Sequence, residues 1–117
     1  MGIRYPLPPI VVALTDAATI ATNAAAGNTF TVTIADSRNM GAPSNPIDGQ
    51  KILYKIKQGG AGSLTITWDS GAGGFQFTTS QPAPTLSTAT GAYDYVGFMY
   101  DSVSGKWNIL GYTIGLA

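Results

Sequence analysis

Apolar and hydroxyl-bearing side chains alternate along several segments of this chain. Phe30, Val32 and Ile34 alternate with threonines, and the same period of two recurs over 51–57 and 64–68. A period of two places successive side chains on opposite faces of a strand, so these segments predict half-buried strands. With weaker segments of the same kind, the chain predicts seven or eight short strands: 10–14, 19–22, 29–34, 51–57, 64–68, 75–77, 93–100 and 106–113.

The segments between the predicted strands are rich in glycine and proline, as in 43–49, 59–62 and 71–74. These residues favour tight turns, and many short strands joined by such turns are typical of an all-β domain. A chain of 117 residues suits one domain. We therefore expect an antiparallel β-sandwich or jelly roll over residues 10–117, with at most one helical turn within 15–26 and no internal repeat.

Residues 1–9 do not continue this pattern. Pro6, Pro8 and Pro9 fix the backbone angle φ and lack an N–H donor, which favours an extended, polyproline-like conformation. Tyr5 and Leu7 between them offer apolar side chains. We expect residues 1–9 to form an extended N-terminal arm that a partner or a neighbouring subunit holds.

The ionisable residues are few and poorly suited to catalysis. Charged residues make up 10% of the chain, the net charge is zero, and histidine and cysteine are absent; every acidic residue is aspartate. The usual general bases and soft metal ligands are therefore missing. The glycine-rich segment 59–62 precedes a predicted strand rather than a helix, unlike a phosphate-binding loop. We expect a protein that is not an enzyme and has no cofactor or metal site.

The charge pattern also argues against nucleic acid and membrane partners. The densest basic group is Lys51, Lys55 and Lys57, which is typical of a solvated strand face or edge. Nucleic-acid-binding proteins normally carry larger basic patches. No apolar stretch approaches the ~20 residues that span a bilayer, and the N-terminus lacks the pattern of a secretory signal. We expect a soluble protein.

Aromatic residues concentrate in the second half, where the strand 93–100 is bulky on both faces. One face should join the core and the other a subunit interface, and we take Val96, Phe98 and Tyr100 as the candidate interface residues. Tyr93 and Tyr95 lie on the opposite face. Exposed tyrosine and tryptophan rings also bind sugars in many proteins, so a glycan-binding site is the alternative.

From residue 14 onward the chain resembles a β-domain that recurs in tailed-phage structural proteins, in head decoration proteins and in tail-fibre or spike tips. The resemblance covers most of residues 13–115, and its most distinctive part is the turn Asn-Pro-Ile-Asp-Gly-Gln at 45–50 leading into an alternating strand. The other segments that carry it are LTDAATIATNAAAGNTFTVTIADSRNMG, SLTITWDSG and PTLSTATGAYDYVGFMYDSVSGKWNILGY. It implies a non-enzymatic β-sandwich or jelly roll of a kind that commonly forms trimers.

A fibre tip usually follows long fibrous repeats, whereas here only the arm precedes the domain. We therefore expect a capsid decoration (cement) protein on the outer capsid surface of the virion. Its partners would be the major capsid protein and two further copies in a homotrimer, with Arg4, Tyr5, Leu7 and Ile10 of the arm contacting the shell. The alternative is a receptor-binding, and in one form glycan-binding, module of a tail or head fibre. A bacterial carbohydrate-binding or adhesin module would call for an export signal or partner domains.

Overall fold

The computed structural model describes residues 9–117, which form nine strands and no helix, so the all-β prediction is confirmed. Since these residues contain no helix, they contain none long and apolar enough to cross a membrane. The strands are β1 (Val11–Ala13), β2 (Thr19–Ile20), β3 (Thr29–Ile34), β4 (Arg38–Met40), β5 (Lys51–Gln58), β6 (Ile66–Trp68), β7 (Phe75–Gln76), β8 (Tyr93–Asp101) and β9 (Lys106–Leu116).

The first six strands wind between two sheets. β1, β3 and β5 are parallel neighbours in one sheet, and β2, β4 and β6 are parallel neighbours in the other. Two consecutive strands, such as β1 and β2, therefore form one coil of the chain, and each coil contributes one strand to each sheet. Val11 lies beside Thr29, and Thr29 lies beside Leu53. The second of these intervals along the sequence is longer than the first, so successive coils differ in length. This coiling is a structural repeat that unequal loops conceal in the sequence.

The hairpin of β8 and β9 completes the larger sheet. β8 pairs antiparallel with β5 and with β9, and β7 lies parallel to β9 at the far edge. The strand order of this six-stranded sheet is β1-β3-β5-β8-β9-β7. Phe98 pairs with Ile109 while Gly97 pairs with Gly111, so Leu110 forms a bulge in β9.

The prediction of antiparallel pairing is wrong for most strands. Of the seven strand pairings within residues 9–117, five are parallel, so the sheets are mixed and an antiparallel sandwich or jelly roll is not confirmed. The alternation of side chains reports that one face of a strand is buried, and it carries no information about the direction of the neighbouring strand. Here parallel strands keep one solvated face because the crossover between them is a strand of the second sheet.

Both sheets bury their inner faces in one core. Ile52, Tyr54 and Ile56 of β5 point inward, and the Tyr54 ring lies 5.7–6.1 Å from the rings of its aromatic neighbours. Those neighbours come from both sheets: Phe30, Trp68, Phe75 and Phe98. Such edge-on and tilted ring contacts are the favoured geometry for packed aromatic side chains. The outer side of β5 and β8 is consequently free to present other residues.

Candidate functional site

The carboxylates are engaged in holding the backbone. Each of the six aspartates accepts a hydrogen bond from a main-chain N–H: Asp16 from Ala35, Asp36 from Ser37, Asp48 from Ser102, Asp69 from Gly71, Asp94 from Ser87 and Gly115, and Asp101 from Val103. Within residues 9–117, no three histidine, cysteine, aspartate or glutamate side chains approach closely enough to hold a metal ion. The acidic residues of this fold thus act as caps for turns and strand ends.

Asp94 is the one aspartate that sequence places inside a predicted strand, and the structure shows why. Its side chain is fully buried on the inner side of β8. One oxygen accepts hydrogen bonds from the Ser87 N–H at 2.9 Å and the Ser87 hydroxyl at 3.1 Å, and the other accepts from the Gly115 N–H at 2.8 Å. The carboxylate ties the loop before β8 to the end of β9, which is a structural role.

The candidate interface residues of β8 lie on its inner face. Val96 and Phe98 are fully buried in the core of the fold, and Tyr100 is half-buried with its ring 5.1 Å from that of Trp107. Val96 and Phe98 have no exposed surface to offer another subunit, so that part of the prediction does not hold in this fold. The reason is the register with β5, which places Val96 beside Tyr54 and Phe98 beside Ile52.

The outer side of β5 and β8 carries the opposite set of side chains, which we call the lysine–tyrosine face. It consists of Lys51, Lys55, Lys57, Tyr93 and Tyr95, arranged around Leu53 and Gly97. Cross-strand pairing places Lys55 beside Tyr95 and Lys57 beside Tyr93. The Lys55 ammonium lies 4.5 Å from the centre of the Tyr93 ring, a favourable cation–π distance.

This face is positively charged. Three lysines lie on it, and the one aspartate in the paired rows from Lys51–Met99 to Lys57–Tyr93 is Asp94, opposite Ile56, whose side chain is buried on the inner side of the sheet. The other two cations of residues 9–117 are engaged elsewhere: Arg38 forms an ion pair with Asp16 at 2.8 Å, and Lys106 donates to the carbonyls of Ser70 and Gly71.

A shallow depression of about 290 Å³ lies on the same outer side, and its lining residue Tyr95 is the cross-strand neighbour of Lys55. Its floor is formed by Gly97 and Gly111, which face each other across β8 and β9, and Tyr95 and Leu53 form part of its wall. Neither glycine has a left-handed φ. A Cβ added to Gly97 would lie 3.6 Å from Leu53 Cδ1 and one added to Gly111 would lie 3.8 Å from Gln81 Nε2, both ordinary contacts, so the fold itself does not require glycine at these positions.

A second surface, which we call the Ile10 groove, lies where the chain enters the fold. It has a volume of about 540 Å³ and a mainly apolar lining that includes Ile10, Ala24, Ala25, Gly27, Ile47 and Gln50. Ile10 is 56% exposed and Ile47 is 68% exposed. Two apolar side chains of this size, left in solvent beside one groove, are suited to covering by another molecule.

The turn at 45–50 forms one wall of this groove and explains the exposure of Ile47. Asp48 accepts from the Ser102 N–H at 2.9 Å, and Gly49, with φ of 80°, donates to the Tyr100 carbonyl. The Gln50 amide donates to the carbonyl of Ala24. With these residues holding the turn against the hairpin and the preceding coil, Ile47 at its tip is directed outward.

The predicted arm falls mostly on residues that lie outside the described part of the chain. Arg4, Tyr5 and Leu7 lie outside the described residues, whereas Ile10 lies in the groove described above. Sequence analysis missed Ile47, Gly97 and Gly111. An isoleucine inside an otherwise polar turn was a signal for the first, and glycines inside two aromatic strands were a signal for the others.

Both surfaces are defined by the chemistry of their own residues. No family model matches the chain, and no curated protein or solved structure matches it.

Proposed function

We propose that the protein is a phage capsid decoration (cement) protein that binds the outer surface of the assembled head and stabilises it. The observation that carries the proposal is the Ile10 groove, an apolar contact surface at the residue where the proline-rich arm meets the fold. The resemblance to tailed-phage structural domains supports it. All six carboxylates accept hydrogen bonds from the backbone, and this arrangement also supports the proposal because it fits a role in contact rather than in catalysis.

The proposed mechanism is additive burial of apolar surface. Tyr5 and Leu7 of the arm, together with Ile10 and Ile47, lie against the major capsid protein, and the prolines limit the entropy that the arm loses on binding. Three copies in a homotrimer act together, because the first contact raises the effective concentration of the others. Since the protein binds the assembled shell, it stabilises that state by mass action.

Co-sedimentation with heads that lack the protein tests this proposal. Ile47→Asp would bury an unpaired carboxylate at the contact, so we expect at least about tenfold weaker binding. Deletion of residues 1–9 should also abolish binding. Lys57→Ala, which changes the other surface, is the matched control and should bind like the wild type.

Thermal unfolding of each variant verifies folding; because Ile47 is 68% exposed, its replacement should leave the midpoint nearly unchanged. Undiminished head binding by both Ile47→Asp and the deletion variant would refute the proposal. Electron micrographs of virions carrying a labelled copy test location: label on the head supports decoration, and label on a tail fibre supports the receptor-binding alternative instead.

A further inference from the structure

The opposed glycines at the centre of the lysine–tyrosine face have no explanation within the protomer. Glycine in a strand interior weakens the strand, and it is retained where a backbone or a ligand approaches closely. A side chain at Gly97 would meet ordinary contacts with Leu53, Gly111 and Ile52, and one at Gly111 would approach Gln81 at 3.8 Å. Glycine at both positions keeps a depression open on the outer side of the sheet.

The charge of this face selects the kind of molecule that fills the depression. Three lysines without a carboxylate among their paired neighbours attract an anion. A second copy of the chain placed face to face would bring the lysines of one copy against those of the other, which is repulsive. Three lysines on a chain of zero net charge are also a small footprint for nucleic acid.

The remaining residues of the face favour a sugar as the group that carries the negative charge. Tyr95 forms a wall of the depression beside the glycine floor, and Thr113 lines it too. On the other side of the lysines, Thr31 pairs with Lys55 and Thr33 with Lys57. An aromatic ring next to a flat floor suits the apolar face of a pyranose, and the Thr113 hydroxyl suits one of its ring hydroxyls. The β3 threonines lie two strands from β8 and suit the next sugar of a polymer.

We propose that the lysine–tyrosine face binds an acidic polysaccharide, that is, a polymer of sugars that bear carboxylate groups. One sugar ring lies over Gly97 and Gly111 against Tyr95, and its carboxylate pairs with Lys55, the cross-strand neighbour of Tyr95; Lys57, one row further along opposite Tyr93, pairs with the carboxylate of the next sugar of the polymer. The neighbouring strands are about 4.8 Å apart, so a lysine on β5 is within side-chain reach of a ring seated on β8 and β9. This binding is independent of the proposed contact with a capsid, because none of the residues that line the depression lines the Ile10 groove.

Titration calorimetry of the full chain with defined polymers tests the proposal. Polygalacturonate is the acidic sugar probe, dextran is the neutral sugar probe, and poly-glutamate carries the same charge without sugar rings. We expect saturable binding of polygalacturonate that weakens with added salt, and at least about tenfold weaker binding of the other two. Equal binding of poly-glutamate would show that the face recognises charge alone, as on an acidic protein, and would overturn the proposal; so would an absence of polygalacturonate binding.

Variants separate the two components of the site. Gly97→Val and Gly111→Val fill the depression with residues that favour strands, so we expect folded proteins that bind polygalacturonate at least about tenfold more weakly. Lys55→Ala combined with Lys57→Ala should give a similar loss. Ile47→Asp is the control and should bind the polymer like the wild type while binding heads more weakly. If a glycine variant fails to fold, Gly97→Ala at its ordinary 3.6 Å contact replaces it. Unchanged polymer affinity in folded glycine variants contradicts the proposed seat.

Discussion

The Tyr54 hydroxyl lies 2.7 Å from the Thr22 hydroxyl, and this hydrogen bond is buried between the two sheets. Tyr54 belongs to β5 of the larger sheet, whereas Thr22 follows β2 of the smaller one. Burial raises the pKa of Tyr54 well above its ordinary value, so the phenol remains neutral and continues to pair with Thr22 at any physiological pH. The bond therefore links the two sheets at the centre of their shared core.

Removing either hydroxyl should destabilise the protein. Tyr54→Phe keeps the ring packing but leaves the buried Thr22 hydroxyl without its partner, and we expect a loss of about 1–3 kcal/mol in the free energy of unfolding. Thr22→Val should cost a similar amount. The double variant should lose clearly less than the sum of the two single losses, because no unpaired hydroxyl remains. Urea unfolding measures all three, and strictly additive losses would contradict a direct bond.

The ion pair between Asp16 and Arg38 should make stability depend on pH. Hydrogen bonding to Arg38 holds the pKa of Asp16 below its ordinary value. A lowered folded-state pKa means that the contribution to stability is present above the ordinary value, about 4, and is lost as the pH falls through the lowered one. Asp16→Asn should therefore lower the urea midpoint at pH 7, and its difference from wild type should shrink towards pH 2. In an Arg38→Gln background the same change should have a smaller effect at pH 7. A difference that stays constant with pH would exclude this linkage.

The strands were predictable where alternation is strong and not where pairing alone creates the strand. Residues 51–57 predict β5 to within a residue because lysines alternate with apolar side chains. β4, Arg38–Met40, has no such alternation and was missed; it forms because β2 and β6 flank it. Strand direction depends on loop lengths that bring Val11 beside Thr29, and no local pattern encodes that pairing.

The candidate surfaces were harder to predict than the strands. Val96 and Tyr95 are both bulky and lie on opposite faces of β8, so sequence alone did not reveal which face is inside. The answer comes from the register that sets Val96 beside Tyr54 and Tyr95 beside Lys55. The exposure of Ile47 likewise depends on a contact between Asp48 and Ser102, which are far apart in the chain.

Asp94→Asn should be strongly destabilising although it preserves the shape of the side chain. The Asp94 carboxylate accepts three hydrogen bonds, two from Ser87 and one from Gly115. The NH₂ group of an asparagine would point its own hydrogens at the donors of one of these two residues. We expect a loss of about 2–4 kcal/mol in the free energy of unfolding, because buried donors to a charged acceptor lose their partner. Asp36→Asn, in an exposed loop, is the control and should change stability by less than about 0.5 kcal/mol. Equal midpoints for Asp94→Asn and wild type in urea would contradict the structural role of this carboxylate.

Two glycines with left-handed backbone separate the cost of conformation from the cost of collision. Gly105 has φ of 67° and open space where a Cβ would lie, so Gly105→Ala should lose only the conformational term, about 1–2 kcal/mol. Gly62 has φ of 78°, and a Cβ there would lie 2.4 Å from the Thr88 carbonyl oxygen. That oxygen accepts the Ser63 N–H at 2.8 Å, so the collision also disturbs a backbone hydrogen bond. Gly62→Ala should therefore lose more than about 3 kcal/mol, since backbone atoms must move to accept the methyl group. Urea unfolding of the two variants side by side measures the difference, and equal losses would mean that the 59–62 turn does not pack against residue 88 as described.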